Sequence, residues 1–97
     1  MIYLLEDDEN IRELVCYSLN VTGNEAKGFA IPSEFWRAVS ENLPELVILD
    51  VMLPEEDGLQ VLSKLRGKDN TSDIPVIMLT AKGSEFDKVT ALDAGAD

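Results

Sequence analysis

The sequence predicts a single α/β domain, built as a doubly wound parallel sheet with the strand order 2-1-3-4. Short apolar runs alternate with amphipathic helical patterns in the order βαβαβαβα. Three of the four predicted strands are apolar runs without polar alternation, which is typical of strands buried on both faces of a parallel sheet, and the second strand is anchored by Phe29 and Ile31 only. The connections are short, and right-handed crossovers place helices on both faces, with the first and third strands side by side.

The third predicted strand, Leu46–Asp50, ends in a carboxylate. Inside a buried strand this group would lose its hydration at a cost of several kcal/mol. Asp50 is therefore expected at the carboxyl end of the strand, where open α/β sheets bind ligands; an aspartate that merely caps a turn is the alternative. Pro54 has no N–H group for strand pairing, so a loop follows. Asp57 is a good N-cap for the third helix, Gly58–Arg66.

The remaining elements follow from the same patterns. The other predicted strands are Ile2–Leu5, a short edge strand within Asn24–Ala30, and Pro75–Leu79. The other predicted helices run from about Asp8 to Asn20, from Pro32 to near Asn42, and from Ser84 to near Gly95. Apolar residues three and four positions apart define one face of each helix. In chain order these faces are Ile11, Leu14, Val15, Ser18 and Leu19; Phe35, Trp36 and Val39; Leu59, Leu62 and Leu65; and Phe86, Val89 and Leu92.

The composition excludes several classes of function. The 97 residues include 8 Lys and Arg against 19 Asp and Glu, a net charge of −11, and such a surface repels phosphate backbones, so direct binding of nucleic acid is not expected. The absence of histidine excludes imidazole catalysis and zinc sites that contain histidine. Cys16, the only cysteine, is interpreted as a helix residue beside the core, in keeping with a reducing cytosol. The apolar run Ile2–Leu5 is too short for a signal peptide or a membrane span.

Carboxylates also follow the first strand. In the run E-D-D-E at residues 6–9, the last two acids suit the first turn of a helix, whose dipole favours negative charge there. Glu6 and Asp7 instead sit at the end of the strand. Because the first and third strands are neighbours, Glu6 and Asp7 are expected to converge with Asp50, and Thr80 follows the adjacent fourth strand.

This arrangement predicts a metal site and phosphoryl chemistry. Converging carboxylates raise one another's pKa unless a cation balances them, and oxygen ligands without His or Cys favour Mg²⁺ or Mn²⁺. An acidic pocket relieved by lysines is the alternative. Beside a metal, Asp50 can act as a nucleophile on phosphorus and form an acyl phosphate. The Thr80 hydroxyl and the backbone N–H groups after Asp50 and Thr80 can donate hydrogen bonds to the phosphoryl oxygens.

Three motifs in this order resemble the receiver domain of two-component response regulators: L-L-E-D-D-E-N-I-R, L-V-I-L-D-V-M-L-P-E-E-D-G and V-I-M-L-T-A-K-G. They look most like the class that carries a C-terminal winged-helix DNA-binding domain, and the resemblance covers all 97 residues. It implies a flavodoxin-like fold and a cytoplasmic regulatory protein, not an enzyme, that receives its phosphoryl group from a sensor histidine kinase. The implied site residues are Glu6 and Asp7 for Mg²⁺, Asp50 as the phosphoacceptor, the Met52 backbone carbonyl as a metal ligand, the Thr80 hydroxyl as the switch, and the Ala81 N–H group on the phosphate.

The chain departs from the family pattern at its C-terminus. Family members continue after G-A-D with a fifth strand, a lysine that pairs with the phosphoryl group, an aromatic switch residue and a fifth helix. We therefore expect residues 1–97 to be a receiver domain that is incomplete at its C-terminus, with the output domain absent. Lys82 corresponds to a surface loop and is not expected to replace the missing lysine. An uncovered edge of the strand Pro75–Leu79 would favour strand exchange or pairing with another chain, giving a non-native oligomer.

Other readings of the same residues stay open. An interaction fragment with a residual metal site would bind Mg²⁺ without being phosphorylated. An aspartyl-phosphate hydrolase of the haloacid dehalogenase type needs a second aspartate two residues after the nucleophile, where this chain has Met52. A flavodoxin needs a phosphate loop rich in Ser, Thr and Gly after the first strand, where this chain has acids.

Overall fold

The computed structural model describes residues 1–79. The strands are β1 (Ile2–Leu5), β2 (Ala26–Phe29), β3 (Leu46–Asp50) and β4 (Val76–Leu79), and the helices are α1 (Glu9–Val21), α2 (Pro32–Glu41) and α3 (Gly58–Gly67). All strand pairs are parallel, in the order β2-β1-β3-β4. The predicted fold class and strand order are confirmed. The predicted fourth helix lies outside the described residues, and chain pairing at β4 stays a prediction.

The sheet separates two apolar cores, because successive side chains of β1 and β3 point to opposite faces. The smaller core, on the side of α1, consists of Ile2, Leu4 and Ile48. The larger core lies on the side of α2 and α3. Its fully or nearly buried members are Tyr3, Leu5, Phe29, Phe35, Val39, Val47, Leu49, Val61, Leu62, Leu65 and Val76. Helices therefore cover both faces, as expected for a doubly wound sheet.

The apolar face predicted for α1 is only partly correct. Leu14 is 65% exposed and Ile11 is 37% exposed. A Cβ on Gly28 of β2 would lie 2.6 Å from Arg12 Cγ and 3.2 Å from Cys16 Sγ, so α1 turns these two side chains toward β2. Glycine at this edge strand permits the close approach. The α1 residues that pack against the smaller core are Val15, Cys16 and Leu19.

Two further expectations of burial are wrong. In α3, Leu59 is predicted to be buried but is only half-buried, whereas Val61 is buried. The buried face is therefore Val61, Leu62 and Leu65. In β4, Ile77 is 46% exposed, although burial on both faces was expected. This strand is one of the two outer strands of the four described, so it has a described neighbour on one side only.

The helix ends follow local sequence signals. The Asp8 side chain accepts a hydrogen bond from the Ile11 N–H group at 3.1 Å and caps α1. Gly23 follows with φ +89°, in the left-handed region that favours glycine at helix ends. Asp57 and Gln60 exchange hydrogen bonds of 2.9 and 3.0 Å in a capping box at the start of α3. No helix within residues 1–79 is long and apolar enough to span a membrane.

Candidate metal site

Three carboxylates meet at the carboxyl edge of the sheet. Leu5 of β1 pairs with Leu49 of β3, so the next residues, Glu6 and Asp50, lie side by side. One oxygen from each of Glu6, Asp7 and Asp50 lies within 4.8 Å of the others. Glu6 and Asp50 are buried, at 4% and 7% exposure, whereas Asp7 is exposed. The cluster therefore has two desolvated carboxylates and one side open to solvent. These three residues could hold a metal ion.

The backbone around Glu6 is held by hydrogen bonds. The Glu6 Oε1 atom accepts a bond of 3.0 Å from the Asp8 N–H group. The Arg12 guanidinium donates to the carbonyl oxygen of Glu6 at 2.9 Å and to that of Asp7 at 3.4 Å. Arg12 thus binds main-chain carbonyls of the β1–α1 connection. It places a positive charge near the site, and these two hydrogen bonds go to carbonyl oxygens and not to the carboxylates.

Asp50 is held by the loop that follows it. Its Oδ1 atom accepts a hydrogen bond of 3.3 Å from the Met52 N–H group. The Gly58 N–H group donates to the Val51 carbonyl at 2.8 Å and closes the loop at the start of α3. A Cβ at Gly58 would lie 2.9 Å from the carbonyl carbon of Asp50 and closer still to its oxygen. Only glycine permits this approach of α3 to the end of β3.

Burial and mutual repulsion shift the acidity of the two inner groups. Burial raises the pKa of Glu6 from its ordinary 4.5 to about 7; the hydrogen bond from Asp8 opposes this rise and the Asp50 carboxylate adds to it. Burial also raises the pKa of Asp50, against the hydrogen bond from the Met52 N–H group. Within residues 1–79, the ion pairs of Lys, Arg and the N-terminus involve other acids, namely Glu45, Glu41 and Glu56. In this part of the chain no lysine relieves the cluster.

The structure brings together part of the predicted site. Glu6, Asp7 and Asp50 lie together as the strand order predicts. The Met52 side chain is 77% exposed, and the metal-ligand role of its carbonyl stays a prediction. Thr80, Ala81 and Lys82 lie outside the described residues. Sequence reasoning missed the role of Arg12, because no local pattern relates a helix side chain to the carbonyls of the preceding connection.

A family model for the response regulator receiver domain matches residues 2–97. The chain belongs to the response regulator receiver domain family. Its curated relatives include the phosphate regulon transcriptional regulatory protein PhoB of Escherichia coli (strain K12), with 40% identity over 96 residues. The DNA-binding dual master transcriptional regulator RpaA of Synechocystis sp. is 40% identical over 97 residues.

A solved structure shares the receiver fold. The signal receiver domain of a signal transduction histidine kinase from Syntrophus aciditrophicus superposes with a TM-score of 0.88 at 34% identity, covering 99% of this chain and 73% of that chain.

The regulators PhoB and RpaA extend well beyond the match, since 99% of this chain spans 42% of PhoB and 40% of RpaA. The similarity therefore concerns the receiver portion of these longer proteins.

Proposed function

We propose that this receiver domain, residues 1–97, accepts a phosphoryl group on Asp50 in a Mg²⁺-dependent reaction and thereby regulates an output domain. One observation supports this most strongly: two buried carboxylates and one exposed carboxylate meet at the sheet edge within 4.8 Å, and no described basic side chain pairs with them. A buried acidic cluster of this kind costs free energy unless a cation balances it.

The donor set suits a hard divalent cation. Three carboxylates with one open side can bind Mg²⁺ or Mn²⁺, which keep several waters and use few protein ligands. Glu6, Asp7 and Asp50 would supply these ligands, and the Met52 carbonyl would add a neutral oxygen. When bound, the metal would supply positive charge that neutralises the transferring phosphoryl group. The raised pKa of Glu6 means that its charged form is destabilised in the metal-free protein, so a bound cation would stabilise that form at neutral pH.

Asp50 would act as the nucleophile. One carboxylate oxygen would form a bond to phosphorus while the bond from phosphorus to a histidine nitrogen of the donor breaks. The imidazole would leave neutral, because its other nitrogen takes up a proton from water. The hydrogen bond from the Met52 N–H group to Asp50 Oδ1 holds the carboxylate in one orientation. The Thr80 hydroxyl and the Ala81 N–H group would then donate to the new phosphoryl oxygens and bias a two-state equilibrium.

The partners follow from this assignment. The phosphoryl donor would be a sensor histidine kinase, and the output would be transcriptional, through a winged-helix DNA-binding domain of the kind that the resemblance implies. The net charge of −11 indicates that this domain would not contact DNA itself. We propose a regulatory role in the cytoplasm, with no enzymatic turnover of an external substrate.

The direct test is phosphorylation by acetyl phosphate with Mg²⁺, followed by intact-mass spectrometry. The wild-type protein is expected to gain a single phosphoryl group, and Asp50→Asn is expected to gain none. Asp69→Asn is a matched control, because Asp69 is an exposed aspartate in the loop after α3. Full labelling of Asp50→Asn would refute the assignment. A wild-type protein that binds Mg²⁺ but is never labelled would instead support a metal-binding interaction module.

A further inference from the structure

The loop between β3 and α3, residues 51–57, carries groups on which the site depends. It begins directly after Asp50, and its Met52 N–H group contacts the Asp50 carboxylate. Its two ends are joined by the hydrogen bond from Gly58 to Val51. These bonds join the end of β3 to the start of α3, and Leu53 in the middle of the loop packs against the larger core. Two consecutive glutamates, Glu55 and Glu56, connect it to α2 and α3.

Glu55 caps α2 from a distant part of the chain. The residue before α2 is Ile31, whose side chain cannot accept a hydrogen bond, and Pro32 has no N–H group. The Glu55 carboxylate accepts from the Ser33 N–H group at 2.8 Å and from the Ser33 hydroxyl at 3.2 Å. A carboxylate at this end also suits the dipole of α2. The loop after β3 therefore supplies the cap that the local sequence of α2 lacks.

Glu56 makes the second connection. Its Oε1 atom accepts a hydrogen bond of 2.7 Å from the Trp36 indole N–H group, and its Oε2 atom lies 2.6 Å from Lys64 Nζ in α3. Partial burial alone would raise the pKa of Glu56. Hydrogen bonds from Lys64 and Trp36 outweigh this effect and hold the pKa of Glu56 below its ordinary value. Glu56 therefore stays ionised and connects α2, the loop and α3.

The Trp36 ring is itself held firmly. It packs edge-on against the buried Phe35 with ring centroids 5.1 Å apart, and Lys68 Nζ lies 4.7 Å from its centroid. Its N–H group is thus aimed at the loop by the core of the domain. An anchor of this kind restricts the loop more than contacts with mobile surface side chains would.

We propose that Glu55 and Glu56 are positioning residues for the metal and phosphoacceptor site, because they anchor residues 51–57 to α2 and α3 and so preorganise Met52 beside Asp50. This inference rests on the proposed function. Neither glutamate is among the three converging carboxylates, so both act through the loop. Groups that orient metal ligands commonly change metal affinity when they are removed.

The test compares wild type with Glu56→Ala, Glu56→Gln and the double variant Glu55→Ala/Glu56→Ala. Glu41→Ala is the matched control, because Glu41 lies at the far end of α2 and pairs with Arg37 at 3.8 Å on the surface. Urea denaturation first establishes that each variant is folded. Mg²⁺ affinity is then measured by calorimetry, and hydrogen exchange of the amides of residues 51–58 is measured in the metal-free protein.

The double variant is expected to bind Mg²⁺ more weakly, by about tenfold, which is the lower end of the loss seen when a group that orients a metal ligand is removed, and to exchange its loop amides faster. Glu56→Gln keeps an acceptor for the indole N–H group and is expected to lie between wild type and Glu56→Ala. Trp36→Phe removes the same hydrogen bond and leaves a smaller aromatic ring in place of the indole, and it provides the comparison if an alanine variant does not fold.

Two results would overturn the inference: loop exchange that stays at the wild-type rate in the double variant, or Mg²⁺ affinity equal to that of wild type. Failure of the proposed function gives a different result. In that case the wild-type protein would not be labelled by acetyl phosphate, whether or not it binds Mg²⁺, whereas the exchange measurement would still report whether the two glutamates anchor the loop.

Discussion

Replacing Glu6 by glutamine measures how much the neighbouring carboxylates lower the unfolding free energy of the metal-free protein. Glu6 is 4% exposed and lies against Asp50, which is 7% exposed. Glutamine has nearly the same shape, and its carbonyl oxygen can still accept the hydrogen bond that the Asp8 N–H group donates at 3.0 Å. The substitution therefore removes the ionisable group while it keeps the packing and this contact.

The magnitude follows from the pKa of Glu6. The rise from 4.5 to about 7 means that, between these values, the folded protein keeps a proton that the unfolded chain has lost. The unfolding free energy therefore falls as pH rises through this window, by about 3 kcal/mol in total, since one pKa unit is worth about 1.4 kcal/mol. Below pH 4.5 Glu6 does not destabilise the fold in this way, and above pH 7 the destabilisation is complete. Glu6→Gln is expected to remove most of this pH dependence.

The assay is urea denaturation with a chelator present, monitored by circular dichroism at several pH values across this window. Above pH 7 the glutamine variant is expected to be more stable than wild type by about 1–3 kcal/mol, and the difference should shrink at lower pH. Glu13→Gln, at an exposed position of α1, is the control for removal of a surface charge. Adding Mg²⁺ should stabilise wild type more than the variant, which lacks one ligand. A difference between wild type and Glu6→Gln that stays constant with pH would refute this reasoning.

Three further predictions concern stability and reactivity. Gly58→Ala forces a Cβ against the Asp50 backbone and is expected to destabilise the fold by about 2 kcal/mol or more; a wild-type denaturation midpoint would contradict the close approach. Thr71→Val removes the buried hydroxyl that donates to the Leu65 carbonyl at 2.5 Å, and should cost about 1–2 kcal/mol in urea denaturation; an unchanged midpoint would show that this bond contributes nothing. Because burial raises the pKa of the Cys16 thiol above its ordinary 9.0, alkylation followed by mass spectrometry should be slower in the folded protein than in urea, and equal rates would contradict this shift.

The order of elements and the position of the acidic residues could be predicted from the sequence because both depend on local chemistry. A run of apolar residues that ends in Asp50 places a carboxylate at a strand end wherever that strand lies. Asp57 and Gln60 form a capping box within a single helical turn. Short connections and crossover handedness then leave few strand orders open, so the convergence of Glu6 with Asp50 could be inferred as well.

The tertiary structure decided what depends on contacts between distant residues. The side of α1 that faces the sheet depends on the absence of a side chain at Gly28, which lies beneath Arg12 and Cys16. The Glu55 contact with Ser33 spans 22 residues, and no local pattern identifies it. The raised pKa of Glu6 likewise requires the actual burial and the actual distance to a second charge, because both desolvation and repulsion depend on the surroundings in three dimensions and not on the order of residues along the chain.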